Sequence, residues 1–187
     1  MEQIIRDITP HIHFRLVDTN DTEFILSLRT DPQKSRFISH VRNDLDAQIR
    51  WINDYKEREQ QGTEYYFIIE DTHAVKIGTI RLYDFRGDSF CWGSWILKDD
   101  APAYAAIESV LFVYEIGLYR LGFMQSHTDV RKDNHTVVTF LKNFGAVITH
   151  EDELNYYFRM TRDIYETTKA RYRRFLKSPM VPAGTPA

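Results

Sequence analysis

In the run Met124-Gln-Ser-His-Thr-Asp-Val130, His127 and Asp129 stand two residues apart, which on a strand turns an imidazole and a carboxylate toward one side. Groups of this kind take a proton from an incoming nucleophile near neutral pH. Tyr83 and Asp84 close another strand-like run, and His40 lies in the irregular stretch between Pro32 and Asn43, which makes five candidates for acid–base work. Arg29 and Arg36 offer forked donors to an anionic acceptor, or to nearby surface acids. Asn134, whose amide can both donate and accept, opens a short apolar run that stops at Gly145. Cys91 stands in an apolar run, the usual setting of an inert packed thiol.

Several other chemistries are disfavoured. One cysteine cannot form an internal disulfide, and neither a CxxC nor a Cys/His cluster at zinc spacing occurs, so no metal is expected. No G-x-S-x-G nucleophile elbow is present. The 24 basic and 27 acidic residues give a formal charge of -3 without a basic stripe, which argues against a nucleic-acid partner. The start Met-Glu-Gln-Ile-Ile-Arg-Asp lacks the layout of a signal peptide, and no apolar run approaches the ~18 residues of a bilayer span. A cytoplasmic protein with no membrane partner is expected.

The elements that must position these residues follow from periodicity. The chain has 187 residues, 43% of them apolar and 14% aromatic, enough for one packed core. A single domain over residues 1–177 is expected, with a disordered tail at 178–187, where three prolines and a glycine cluster. Ile12 to Val17 alternates as a strand, and Asp18 to Asp21 supplies caps for a helix carrying Phe24, Ile25 and Leu28. Asp44 or Asp46 caps a second helix through Ile49, Trp51, Ile52 and Tyr55. Residues 65–70, 77–83 and 89–97 read as an antiparallel meander, and residues 105–121 as a broadly apolar helix stopped at Gly122. A strand over 124–130, a helix from Asn134 to Phe144, and closing strands at 147–150 and 154–160 complete the pattern. Residues 161–176 read as an added amphipathic helix, suited to packing or to contact within a homodimer.

The segment Val130-Arg-Lys-Asp-Asn-His-Thr-Val-Val-Thr-Phe-Leu-Lys-Asn-Phe-Gly-Ala146, the Gly93-Ser-Trp95 strand and the element order β-α-α-β-β-β-α-β-α-β-β resemble the GNAT-type N-acetyltransferases over residues 12–160. The branch in view is similar to ribosomal-protein N-terminal and nucleotide-amino-sugar acetyltransferases. The resemblance implies an α/β (α+β) fold: a mixed, mostly antiparallel central sheet with flanking helices and a splay between strands four and five. It implies acetyl-CoA as cosubstrate, with Trp95, Ile96 and Leu97 along the pantetheine. The pyrophosphate would sit at helix-start amides, which Ala103, Tyr104, Ala105 and Ala106 can supply although Pro102 and Tyr104 replace the usual glycines. Asn134 and Leu141 fall on the second cofactor segment.

Two further positions depart from the family pattern. Cys91 stands where many members carry a glutamate base, and Leu141 where many carry a tyrosine acid. The base is therefore sought among His127, Asp129, Tyr83, Asp84 and His40, while Arg29, His40 and Asp84 fall where the family shapes its acceptor pocket. The expected activity is direct transfer of acetyl to a primary amine of a small molecule, such as a nucleotide-linked amino sugar. A protein N-terminal acetyltransferase and a catalytically degenerate GNAT-fold binding module are the alternatives.

Overall fold

The computed structural model describes residues 8–39 and 41–177. His40 and the tail at 178–187, both subjects of expectations above, lie outside the described residues.

Seven strands form one sheet in the order β1-β2-β3-β4-β5-β7-β6. β1 (Ile12–Leu16), β2 (Tyr65–Asp71), β3 (Lys76–Arg86) and β4 (Ser89–Leu97) make an antiparallel meander, joined by the parallel pair of β4 and β5 (Gln125–Arg131). β7 (Asn155–Thr161) then lies between β5 and the edge strand β6 (Val147–Glu151). Alternation along each strand divides the apolar residues between two faces. One face carries Phe14, Phe67, Leu82, Phe90, Trp92 and Phe158 against α3 (Ala103–Tyr114), α4 (His135–Phe144) and α5 (Arg162–Arg171). The other carries Val17, Tyr66 and Ile68 against Ile25 of α1 (Thr22–Thr30) and Ile52 and Tyr55 of α2 (Leu45–Gln60). Ile25, Ile52 and Ile68 are fully buried there, each worth roughly 1.5–3 kcal/mol.

Local chemistry sets the boundaries. Asp18 forms a capping box with Asp21 ahead of α1, and the Asp44 carboxylate accepts the Ala47 amide at 2.9 Å, which selects Asp44 over Asp46 as the cap of α2. The helix expected over 105–121 instead begins at Ala103 and passes into a π-helical stretch at Glu115–Arg120. Within that stretch Gly117 lies against Phe90 so closely that a Cβ would come within 2.2 Å of the ring. The buried Glu115 carboxylate is held there by Lys169 at 2.9 Å and the Tyr165 hydroxyl at 2.8 Å, contacts that no periodicity reveals.

Candidate active site

β4 and β5 pair only at Ser89–Gln125, Phe90–Ser126 and Cys91–His127, although β4 continues to Leu97 and β5 to Arg131. Beyond Cys91 the two strands part, and a cleft of about 450 Å³ opens in the gap. Trp92, Gly93, Ser94 and Trp95 line it from β4, and Thr128, Asp129, Val130 and Arg131 from β5. Asn134, Val137 and Leu141 of the α4 segment, together with Arg36 to Ser39, complete much of its wall.

Two bulges shape the β4 side. The β3–β4 register slips by one residue between Thr79–Ile96 and Arg81–Gly93, and Ser94 at the slip takes φ 46°. A second slip lies between Tyr83–Cys91 and Arg86–Ser89, with Asp84 at φ 51°. Both residues are non-glycine in the left-handed region, a conformation costing about 1–3 kcal/mol that the surroundings must impose. The Thr79 hydroxyl donates to the Ser94 carbonyl at 2.9 Å and holds the first bulge in place. Across the gap, the Thr128 hydroxyl donates to the Trp92 carbonyl at 3.0 Å.

Of the acid–base candidates, Tyr83 and Asp129 line the cleft. Burial first, and then neighbouring Cys91 and Asp129, push the Tyr83 phenol above its usual range, so at neutral pH it donates a proton and cannot act as a base. That removes Tyr83 from the candidate bases. Asp129 is exposed at the cleft wall. His127 sits two residues earlier, at the last paired position, with Nδ1 2.7 Å from the Ser89 hydroxyl and Nε2 3.4 Å from Asp84. His127 and Asp84 thus meet each other outside the cleft lining. Asp84 also pairs with Arg86 at 2.6 Å, and Arg86 chiefly, then His127, holds its carboxyl below the usual range. Cys91 is buried, and burial pushes its thiol up, so it stays protonated at neutral pH.

Trp95 is fixed by its indole N–H donating to the buried Ser109 hydroxyl at 3.0 Å and by edge contact with Trp92. Ile96 is buried opposite Thr79, and Leu97 pairs with Gly78, where a Cβ would meet the Ile96 carbonyl at 2.5 Å. Asn134 caps α4 by accepting the Val137 amide at 3.3 Å, which leaves its side-chain N–H groups as donors at the cleft wall. Leu141, on the same helix, is buried at that wall. The start of α3 corrects one expectation. The Ala105 amide donates to the Pro102 carbonyl at 2.9 Å and is not free for an anion, whereas Ala103 and Tyr104 occupy the first two helical positions, where amides lack intrahelical acceptors. Ala106 follows in the same first turn, and the Tyr104 ring packs against His11 at 4.7 Å.

Arg29 donates to the Ser39 carbonyl and hydroxyl at 3.0 and 2.7 Å, thereby holding the 36–39 wall without lining the cleft itself. Ser94, Thr128 and Val137 were not legible as site residues. Ser94 owes its place to a bulge and Thr128 to the strand gap, and neither feature leaves a mark in composition or alternation. Among the described residues no three His, Cys, Asp or Glu side chains gather as metal ligands, and no helix is long and apolar enough to cross a membrane.

A mostly antiparallel sheet with one parallel pair that splays around a cleft defines an acyl-CoA-transferring fold. Residues 11–147 match the acetyltransferase (GNAT) domain, and the chain belongs to that family of acyltransferases, whose cosubstrate is acetyl-CoA. It is similar to the solved structure of apo FdhC, described as a nucleotide-linked sugar GNAT, with 44% identity, a TM-score of 0.84 and coverage of 91% of this chain and 97% of that one. Spermidine N-acetyltransferase from Vibrio cholerae, solved with CoA and spermine, shares the fold at 14% identity and a TM-score of 0.70, covering 83% of this chain and 98% of that one. No curated protein matches the chain.

Proposed function

We propose that this chain is an acetyl-CoA-dependent N-acetyltransferase that carries acetyl directly to the primary amine of a nucleotide-linked amino sugar. The observation that carries the reading is the cleft at the β4–β5 gap, walled on one side by the Asn134 segment and on the other by residues 36–39. The 44% identity to a nucleotide-linked sugar GNAT supports the choice of acceptor. In this scheme Ala103 and Tyr104 amides face the pyrophosphate, and Asn134 donates to the pantetheine arm. Asp129 takes the ammonium proton, directly or through water, and the freed amine attacks the thioester carbonyl carbon. The C–N bond forms, the C–S bond breaks, and the second nitrogen proton passes to solvent as the amide forms. The Tyr83 phenol, which stays protonated, donates a hydrogen bond to the departing thiolate, and the thiolate takes its proton from solvent. Alignment of amine and thioester in one cleft supplies most of the rate.

The test is thiol release from acetyl-CoA by the full chain, measured with a nucleotide-linked amino sugar, spermidine and a peptide with a free N-terminus. Turnover at least about tenfold more efficient with the first is expected. Preference for the peptide would replace this acceptor with a protein N-terminus. Calorimetry that finds no acetyl-CoA binding would instead mark a module without catalysis.

A further inference from the structure

A second, smaller cavity of about 150 Å³ lies behind the acceptor-side wall, beneath Ser39 and between α1, α2 and the sheet. Arg29, Gln48, Trp51, Tyr66 and Arg81 line it together with Ser39. Tyr66 and Arg81 are direct cross-strand partners on β2 and β3, so their side chains rise from one face into the same space. Tyr66 is 1% exposed, and its hydroxyl, like the buried Nε of Arg29, has no hydrogen-bond partner among the described residues. The hydroxyl lies toward Thr79 and Arg29 without bonding to either in normal geometry. Leaving such donors unpaired inside a protein is costly.

The charge around this cavity is positive. Glu64 is shared by two guanidinium groups, Arg81 Nε at 2.5 Å and Arg58 Nε at 2.8 Å, so that this cluster keeps one net positive charge. Arg29 is bonded to Ser39 and forms no ion pair with any carboxylate among the described residues. Two unpaired donors beside this excess call for a ligand rich in acceptor oxygens and negative charge. The cavity also adjoins the catalytic cleft. Ser39 lines both, and the Arg81 guanidinium lies 4.7 Å from the ring centroid of Tyr83, which lines the cleft, and 5.1 Å from that of Trp51.

We infer that the Arg29–Tyr66–Arg81 cavity is the subsite for a phosphate group of the acceptor, placed so that the acceptor's amine end reaches the cleft on the other side of Ser39. This inference rests on the proposed acceptor class and adds where its charge is recognised. Arg29 Nε and the Tyr66 hydroxyl donate to phosphate oxygens, and Arg81 adds charge from across the ladder. Burial keeps the Tyr66 phenol protonated and therefore a donor.

Tyr66→Phe is the discriminating variant, because it removes one buried hydroxyl that has no hydrogen-bond partner among the described residues and should leave the melting temperature nearly unchanged. KM for the nucleotide-linked amino sugar is expected to rise about tenfold, with KM for acetyl-CoA unchanged. Arg29→Gln, which loses both donors and charge, should raise it further. A nucleoside diphosphate titrated into the full chain by calorimetry should bind, and bind about tenfold more weakly to Tyr66→Phe. If the wild type acetylates the nucleotide-linked sugar while neither variant changes its KM, the subsite is wrong and the acceptor class stands. If only phosphate-free amines are acetylated, the acceptor class is wrong. The calorimetry then decides the subsite alone: absent or variant-independent binding overturns it.

Discussion

The Tyr83 ring lies across Gly93, so closely that a Cβ at position 93 would stand 2.9 Å from the phenol oxygen and 3.4 Å from the ring edge. Glycine there makes room for the side chain that lines the cleft, and the Arg81–Gly93 pair beside it closes one side of the β4 bulge. Gly93→Ala should therefore displace Tyr83 and lower kcat/KM by about tenfold or more with little loss of stability. The tighter of the two contacts is with the hydroxyl. In a Tyr83→Phe background the added methyl should consequently cost much less than in the wild type. A double-mutant cycle on kcat/KM that returned strictly additive effects would separate Gly93 from Tyr83 and refute this relationship.

Asp129 is the carboxylate of the cleft, and Asp129→Asn should lower kcat by about 10²–10⁴-fold while acetyl-CoA still binds. Tyr83 imposes a separate condition on the pH profile. Its phenol is raised above the usual 10.0, so it remains protonated through neutral and mildly alkaline pH and produces no loss of rate there. An alkaline limb between about pH 8 and 10 that disappeared in Tyr83→Phe would contradict the assignment.

The Cys91 thiol is buried, and burial raises its pKa. Cys91→Ala should keep most of the turnover, within about threefold of the wild type. Thiol-directed alkylation at neutral pH should be slow in the folded protein. Loss of activity in a folded Cys91→Ala protein would return the thiol to the mechanism.

The β2–β3–β4 meander, the end of β4 at Leu97 and the Asn134 cap were legible because each rests on local information: alternation, turn residues, or a polar side chain ahead of an apolar helix. The insertion of β7 between β5 and β6 was not, since strand pairing between non-neighbours in the chain leaves no local signal. The site divided in the same way. Trp95, Asn134 and Leu141 follow from a family pattern, and they line the cleft. The separation of His127 from Asp129 depends on where the β4–β5 ladder ends, at Cys91–His127, and two residues on the same face of one strand look equivalent until that end is known. The Tyr66–Arg81 pairing, between residues 15 apart in the chain, required the register of β2 on β3, which the meander allowed but did not specify.

The first turn of α3 offers a probe of cofactor binding that spares the fold. Pro102 already holds φ -59° and ψ 144°, the conformation a residue before proline prefers, and Ala103 is the first helical position, where proline is tolerated. Ala103→Pro therefore removes one free amide with little strain. If that amide meets the pyrophosphate, the Kd for acetyl-CoA should rise about tenfold with the melting temperature nearly unchanged. Unaltered affinity would place the phosphates elsewhere.

Asp21 makes the strongest case for stability. It is fully buried between β1 and α1, accepting Arg15 at 2.7 and 2.8 Å, Lys76 at 2.7 Å and the Asp18 amide at 3.0 Å. Burial alone would raise its pKa, but Arg15 first, then the Asp18 amide and Lys76, outweigh that and hold it below 3.8. A carboxyl depressed in the folded state contributes stability that is complete above its unfolded pKa and is lost as pH falls through the lower folded value. The molecule should thus lose this contribution only below about pH 4. Asp21→Asn leaves Arg15 and Lys76 without their buried anion, and should cost about 3 kcal/mol or more at pH 7, a fall of roughly 6–12 °C in Tm. The variant should also show a shallower acid limb in urea denaturation, since the group that titrates there is gone. An acid limb as steep as that of the wild type would assign the acid sensitivity to other carboxylates.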